Sequence, residues 1–424
     1  MTTGFSARTE RWRPARRPDW VQRINEEGAL LDMAAVVPLD ARSLIEAAQA
    51  NTGLSDFGSD DWREPFEILL KSLNEEAELN LMGRLMTRSD LLILLEQRLQ
   101  IEETYKRFPQ IEDEQIRKPL MIIGQGRSGT SVLQNILARD PDHNVLLHWN
   151  TYFPCPPPEK ERYDSDPRIE RAAGLISQLT RVVPEVEAMH EFDARLPIEN
   201  IHLHALSFRS PGWFNSFAGQ VPTYNEYMSR QDAVIQFEYE KRVLKILQWK
   251  NPCRNWLFKS PYSILDMPTL LKVFPDTGFI WTHRDPVKAL SSMVNLIGTL
   301  FWSRSDAPFI GGSLEMYTNA AVGSAMLSKP IEWLERGDVP RSQLCNVHYQ
   351  DLVADPLKVT RQIYEFFGIE MSDAALAAMS KYMADNPRSS RPAHVYKSGD
   401  SEQIAIERQA YKQYQEYFAV PNEQ

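Results

Sequence analysis

The sequence predicts an α/β fold of the P-loop-like, three-layer kind, with a central mostly parallel sheet and a helical N-terminal region. Three features point there. Short apolar runs near residues 120, 256 and 279 each end in a polar or glycine-rich turn that feeds a helical pattern, the alternation expected of parallel strands. The first of those turns, GQGRSGTS at 124–131, has the outline of a phosphate-binding loop. The first hundred residues instead repeat apolar side chains at three- and four-residue spacing, without a strand pattern. This divides the chain into a helical region at 1–115 and an α/β domain at 116–424, with helical insertions at about 160–250.

Composition sets the class. Charged residues at 25% and apolar residues at 43% of 424 describe a globular chain, and a net charge of −10 argues against an extended nucleic-acid surface. Three separated cysteines, Cys155, Cys253 and Cys345, suit a reducing compartment without a disulfide framework. No Cys/His group has metal-ligand spacing. Arg8, Arg11, Arg13, Arg16 and Arg17 precede no apolar core, and no run approaches the ~20 residues that span a bilayer. A cytoplasmic protein with no membrane span is expected.

After a polar arm, SLIEAAQANTG, EPFEILLKSLNEEAELNLMGRLM and SDLLILLEQRLQIEETYKRF read as helices, with Ser43 and Ser89 as N-caps and Gly53 and Gly83 as stops. Three uses suit such a region: scaffold, a lid over a pocket, or an arm for a homo-oligomer. Residues 120–123 read as the first strand and 131–137 as the helix after the loop. Residues 145–149 read as a second strand. The prolines at 154, 156, 157 and 158 then call for an exposed connection, because proline continues neither ladder nor helix. Helix is expected at 166–183 and a polar loop at 189–200. An aromatic-rich helical stretch follows at 201–248, with Trp213, Phe214, Phe217, Tyr224, Tyr227, Phe237 and Tyr239 as core or as pocket lining. Strands return at 255–258, 278–282 and 344–349, and helices at 359–367 and 402–418.

Glycines at 124, 126 and 129 let the main chain approach a ligand, and a helix start aims amides at the same point. Thr130 stands where the triphosphate-binding loop carries its lysine. The cradle therefore suits a 5′-phosphate outside a triphosphate, with Arg127 inside it. Two later strands end in cations, at Lys259-Ser260-Pro261 and His283-Arg284-Asp285-Pro286, on the edge where open parallel sheets bind ligands. Arg284 and Ser292, eight positions apart, suit a joint grip on one phosphate.

These residues together resemble the sulfotransferase superfamily, in particular a microbial branch whose loop reads G-x-[PG]-R-[ST]-G-T-[ST]. The resemblance runs through TGLSDFG, GQGRSGTS, DPRI, MH with PIEN, WLFKSP, FPDTGFIWTHRDP and VHYQDLVADP, nearly the whole chain. It implies that Arg127, Ser128, Gly129, Thr130 and Ser131 bind the 5′-phosphosulfate of 3′-phosphoadenosine 5′-phosphosulfate (PAPS), the co-substrate that leaves as 3′-phosphoadenosine 5′-phosphate. It further implies that Arg284 and Ser292 bind the 3′-phosphate, and that Tyr349, Arg388 and Arg391 close over the nucleotide. No metal is implied. The implied partner is a small, apolar acceptor bearing a hydroxyl.

Sulfuryl transfer places an acceptor oxygen in line with sulfur and the departing phosphate oxygen, so positioning and charge neutralisation dominate. Arg127 and Lys259 are the expected cations. His148, His190, Glu191 and Glu199 are candidates for the base, with His190 first and Glu199 second. Here the chain departs from many relatives: Tyr262 and Ser263 stand where a histidine often follows K-S-P, and Asn150 where a glutamate often follows the tryptophan. An ATP-dependent small-molecule kinase and a non-catalytic nucleotide-binding protein are the alternatives; the missing lysine weighs against the first.

Overall fold

The structure, a computed structural model, describes residues 12–217, 219–307, 319–387 and 401–423. At its centre are five strands, β1 (Leu120–Gly124), β2 (His143–Val145), β3 (Asn255–Lys259), β4 (Gly278–His283) and β5 (Leu344–His348). They lie in the order β2-β3-β1-β4-β5, every neighbouring pair parallel, as expected. Ile122 of β1 is level with Lys259 of β3 and Ile280 of β4. The ends bearing Gly124, Lys259 and His283 therefore share one edge. The chain turns from β1 to β2 and β3 on one side and later crosses to β4 and β5 on the other. The crevice above the carboxyl end of β1 is thus a topological switch point.

Strand periodicity divides the core into layers. Met121, Ile123, Trp256, Phe258, Phe279 and Trp281 join one apolar cluster, while Leu120, Ile122, Leu257 and Ile280 join another. Among the described residues, five α-helices precede the sheet: α1 (Asp19–Gly28), α2 (Met33–Val36), α3 (Ala41–Thr52), α4 (Arg63–Glu75) and α5 (Leu81–Arg107). The apolar sides of α3, α4 and α5 belong to the first cluster, so the N-terminal helices share a core with the sheet. The second cluster packs α6 (Thr130–Leu137) with the helices Pro356–Phe367 and Asp373–Asp385.

Several local expectations need correction. The polar arm contains α1, whose Val21 is buried against α5. Asp40 and Asn80 cap α3 and α5 through their side chains, in place of Ser43 and Ser89, which lie inside those helices. Gly53 does end α3, at φ +69°. Gly83 instead sits in the first turn of α5, because a Cβ there would lie 2.0 Å from the Arg304 carbonyl oxygen. The second strand covers only His143–Val145; His148 and Trp149 belong to α7 (His148–Tyr152), started by the Asn150 carboxamide accepting from the Leu147 amide at 2.9 Å. A short buried apolar run fits either element, and this local hydrogen bond selects the helix. The proline segment is irregular as expected, yet Pro154, Pro157 and Pro158 are buried and only Pro156 is exposed. Proline brings no amide that needs a partner, so such a loop can enter the interior at low cost.

The insertion comprises α8 (Arg168–Val182), α9 (Ile201–Ala205), α10 (Pro211–Phe217), α11 (Pro222–Met228) and α12 (Val234–Trp249). After β3 come α13 (Met267–Val273), β4 and α14 (Pro286–Trp302). The last helix, Ser401–Tyr417, lays Tyr414 and the following Phe418 on Trp281 and His283.

Candidate active site

The loop between β1 and α6 is shaped by conformations that only certain residues tolerate. Gly124 has φ +143° and a Cβ there would sit 2.6 Å from the Thr282 carbonyl oxygen; Gly129 has φ +96° at the N-cap of α6. Arg127 between them is also left-handed, at φ +72°. An arginine held there is strained, a condition that persists where the surroundings fix it. The Ser128 hydroxyl donates to the Gln125 carbonyl at 2.6 Å and pairs with Thr282 Oγ1 at 2.7 Å, tying the loop to β4. The first-turn amides of α6 have no intrahelical acceptor and open onto the crevice beside Thr130 and Ser131.

Cations from two strands meet at this loop. Arg127 Nε donates to Ser292 Oγ at 2.9 Å and its Nη1 to the Met189 carbonyl at 2.8 Å. Arg284 Nη1 donates to the Arg127 carbonyl at 2.8 Å. Its guanidinium lies 4.2 Å above the Tyr349 ring, and Tyr349 also packs against Gly129. Arg127, Arg284, Ser292 and Tyr349, far apart in sequence, thus form one cluster. Ser292 Oγ accepts from Arg127 Nε. Arg284 Nε and Nη2 instead donate to the two carboxylate oxygens of Glu423, at 2.8 and 2.9 Å. Arg388 and Arg391 lie outside the described residues.

At the end of β3 the ammonium of Lys259, 2% exposed, donates to Glu199 Oε1 at 2.7 Å. Around this pair stand His148, His190 and His202. In each the Nδ1 atom faces a backbone carbonyl: Leu196 at 3.1 Å, Glu191 at 2.8 Å and Glu199 at 3.2 Å. A carbonyl only accepts, so Nδ1 carries the proton and Nε2 presents a lone pair. Burial, then Lys259, then Arg127 push His190 down to about 3, so it is neutral, with an unprotonated and weakly basic Nε2.

A cavity of about 360 Å³ runs from the loop past Lys259 and the three histidines. Its walls are mostly apolar, with Met86, Leu175, Leu179, Leu296, Trp213 and Phe217 among them. Of the seven aromatic residues singled out at 201–248, Trp213 and Phe217 line the cavity. Phe214, Tyr224, Phe237 and Tyr239 are buried in the core, with Tyr227 packed at its edge. The departures at 150 and 262 are structural: Asn150 spends its carboxamide on the Leu147 amide and the Tyr163 hydroxyl, and the Tyr262 ring packs against Gly212. Sequence reasoning missed His202, Glu423 and the residues lent by α5. His202 sat within a pattern read as plain helix, and nothing local marks Glu423. Among the described residues no group of three acidic, histidine or cysteine side chains has a metal-binding arrangement, and no helix is long and apolar enough to cross a membrane.

Buried histidines give the protein a definite acid sensitivity. Burial lowers His148 to about 4, His190 and His283 to about 3 and His202 well below 6.5. The unfolded chain takes up these four protons as pH falls below about 6.5 while the folded protein does not, so their effect on stability is absent above that pH and destabilising below it. Asp266, pushed up to about 6 by burial, acts in the opposite sense. Moving from pH 7.5 to 5.5 is expected to cost about 4–5 kcal/mol of stability net, at ~1.4 kcal/mol per histidine over the one pH unit below 6.5, partly offset by Asp266. Urea unfolding at both values checks this; equal stabilities would contradict the buried neutral state.

The profile described as the sulfotransferase family matches residues 119–373. An omega-hydroxy-beta-dihydromenaquinone-9 sulfotransferase, Stf3 of Mycobacterium bovis, is 23% identical over 304 residues, 69% of this chain and 71% of its own. Among solved structures, sulfotransferase STF9 from Mycobacterium avium aligns with a TM-score of 0.75 at 27% identity, covering 90% of this chain and 97% of that one. Sulfotransferase STF1 from Mycobacterium tuberculosis H37Rv aligns with a TM-score of 0.73 at 26% identity, covering 88% and 98%.

Proposed function

The chain belongs to the sulfotransferase family, and on that premise we propose that it moves the sulfuryl group of PAPS to a hydroxyl of a small, largely apolar acceptor. The observation that supports this donor most is the bond from Arg284 to the Arg127 carbonyl, which puts the two cationic strand ends within reach of one doubly phosphorylated nucleotide. In this reading the loop 127–131 takes the 5′ end, and Arg284, with Tyr349 beneath it and Ser292 nearby, takes the 3′-phosphate. Lys259 lies beside the sulfuryl group and neutralises charge as it moves to the departing phosphate. Glu199 holds Lys259 in place through their 2.7 Å contact.

His190 is the base. Its Nε2 takes the acceptor proton as the new sulfur–oxygen bond forms, and its surroundings contain the two cations that flank the transfer. The anionic donor offsets those cations and raises its basicity when bound. Stf3 is an omega-hydroxy-beta-dihydromenaquinone-9 sulfotransferase, so a hydroxyl on a largely apolar molecule is an acceptor type already met among relatives, and the apolar walls here suit one. Transfer of label from PAPS to a panel of phenols, sterols and fatty alcohols tests the reading. Label is expected on at least one alcohol, and His190→Ala is expected to slow that transfer about 10²-fold or more. No labelled product with any acceptor would overturn the activity; an undiminished rate in the variant would remove His190 from its role.

A further inference from the structure

The cavity has a second polar end that the transfer chemistry does not use. On its α5 side, Asp90 and Arg304 both line it, joined by a contact of 2.6 Å from Nη2 to Oδ2, with Arg304 Nη1 donating to Thr87 Oγ1 at 2.9 Å. The Asp90 side chain keeps 19% of its exposure and Arg304 only 5%, so the carboxylate is the more open partner. Asp90 Oδ1 and the Tyr152 hydroxyl bond to no other described residue, and Tyr152 lines the same cavity close enough to feel both charges. Burial raises the Asp90 carboxyl and Arg304 opposes it, as in a paired carboxylate kept from bulk water.

This end is distinct from the transfer end. From His190 a row of rings leads to it: Phe192 at 4.7 Å, then His148 at 6.1 Å, then Tyr152 at 6.5 Å between successive centroids. Tyr152 also stands 6.0 Å from His202, and the cavity walls include the apolar side chains of Met86, Leu179, Leu296 and Leu300. An ion pair facing apolar walls must be matched by whatever fills the space beside it, since an unpaired polar group left dry costs about 1–3 kcal/mol. Because Asp90 and Arg304 cancel in charge, a charged ligand group gains little there. A neutral group that both donates, to Asp90 Oδ1, and accepts, from the Tyr152 hydroxyl, satisfies both.

We infer that Asp90, Arg304 and Tyr152 form a second subsite for a hydroxyl on the acceptor remote from the hydroxyl that is sulfated, so that the acceptor class is an apolar molecule with a hydroxyl near each end. The inference rests on the proposed placement of the reacting hydroxyl beside His190 and Lys259. Its test is binding without any donor, which keeps it separate from the transfer reaction. Straight-chain α,ω-diols of increasing length and the 1-alkanols of equal carbon number are titrated into the full-length protein by calorimetry. Over a narrow window of lengths the diol is expected to bind about tenfold tighter than its matched mono-alcohol, the size of one neutral hydrogen bond at ~1.4 kcal/mol. Tyr152→Phe, which keeps the ring stacked beside His148, is expected to reduce that preference to about threefold or less and leave mono-alcohol binding unchanged. Asp90→Asn, checked for folding by its unfolding curve, is expected to do the same. The subsite is overturned if no length shows a diol preference, including the case where neither series binds. It is also overturned if Tyr152→Phe weakens diol and mono-alcohol equally, which marks a packing role. A diol preference in a protein that transfers no label would leave the subsite standing and remove the sulfuryl-transfer reading alone.

Discussion

Lys259→Ala is expected to lower kcat by about 10²–10³-fold while changing nucleotide affinity less than about tenfold. Lys259 is buried at the end of β3, level with Ile122 of β1, and its ammonium donates to Glu199 beside the histidines. A cation fixed in that position gains most when negative charge builds on the departing phosphate oxygen, so its loss falls on the transition state more than on the ground state. The variant also leaves Glu199 at the site without its partner. Glu199→Gln separates the two effects, because it keeps the lysine while loosening its hold, and a smaller drop in kcat is expected. Pre-steady-state transfer measured beside nucleotide binding checks both. Equal losses in affinity and turnover for Lys259→Ala would make the lysine a binding residue only.

Arg284→Ala is expected to weaken nucleotide binding by about 2–4 kcal/mol, the range for truncating one member of a charged hydrogen-bonded pair. Part of that loss is structural, since Arg284 also fixes the Arg127 carbonyl and with it a left-handed backbone. Glu423→Gln supplies the control. The Glu423 carboxylate accepts from Nε and Nη2 of Arg284, a paired geometry a phosphate would also use, and the Glu423 amide donates to Asp285 Oδ2 at 2.8 Å. A nucleotide that needs Arg284 must displace that carboxylate. Glu423→Gln is therefore expected to tighten binding by about 1 kcal/mol, opposite in sign to Arg284→Ala. Weaker binding in both variants would mean that Glu423 supports the site and does not compete within it.

The parts of this molecule that sequence makes legible are those written in local pattern. Leu120–Gly124, Asn255–Lys259 and Gly278–His283 are short apolar runs closed by functional turns, and each is a strand where expected. The loop glycines at 124, 126 and 129 mark a close main-chain turn; Gly124 and Gly129 adopt positive φ, and a Cβ at Gly126 would sit 2.6 Å from Met293 Sδ. What sequence does not carry is chemistry decided by partners distant along the chain. The brief run at 145–149 gives no sign of whether ladder or Asn150 cap will win. Gly83 looks like a helix stop until the Arg304 carbonyl is found against it. His283, within the HRDP motif, is a packing residue, bonded to the Tyr414 hydroxyl and the Asn346 carboxamide, both at 2.9 Å. The base poses the same difficulty. Any histidine near 190 fits a motif, but only folding shows three of them with Nδ1 capped by a carbonyl and Glu199 occupied by Lys259.

The joint grip of Arg127 and Arg284 on a nucleotide with phosphates at both 5′ and 3′ positions is tested most directly by calorimetry with 3′-phosphoadenosine 5′-phosphate and AMP, titrated into the protein and into Arg284→Ala. The 3′-phosphate is expected to tighten binding about 30-fold or more, ~2 kcal/mol, and this increment is expected to vanish in the variant, while AMP loses only the part that comes from loosening the Arg127 backbone. Equal affinities for the two nucleotides in the unmodified protein, or an increment that survives the loss of Arg284, would contradict it.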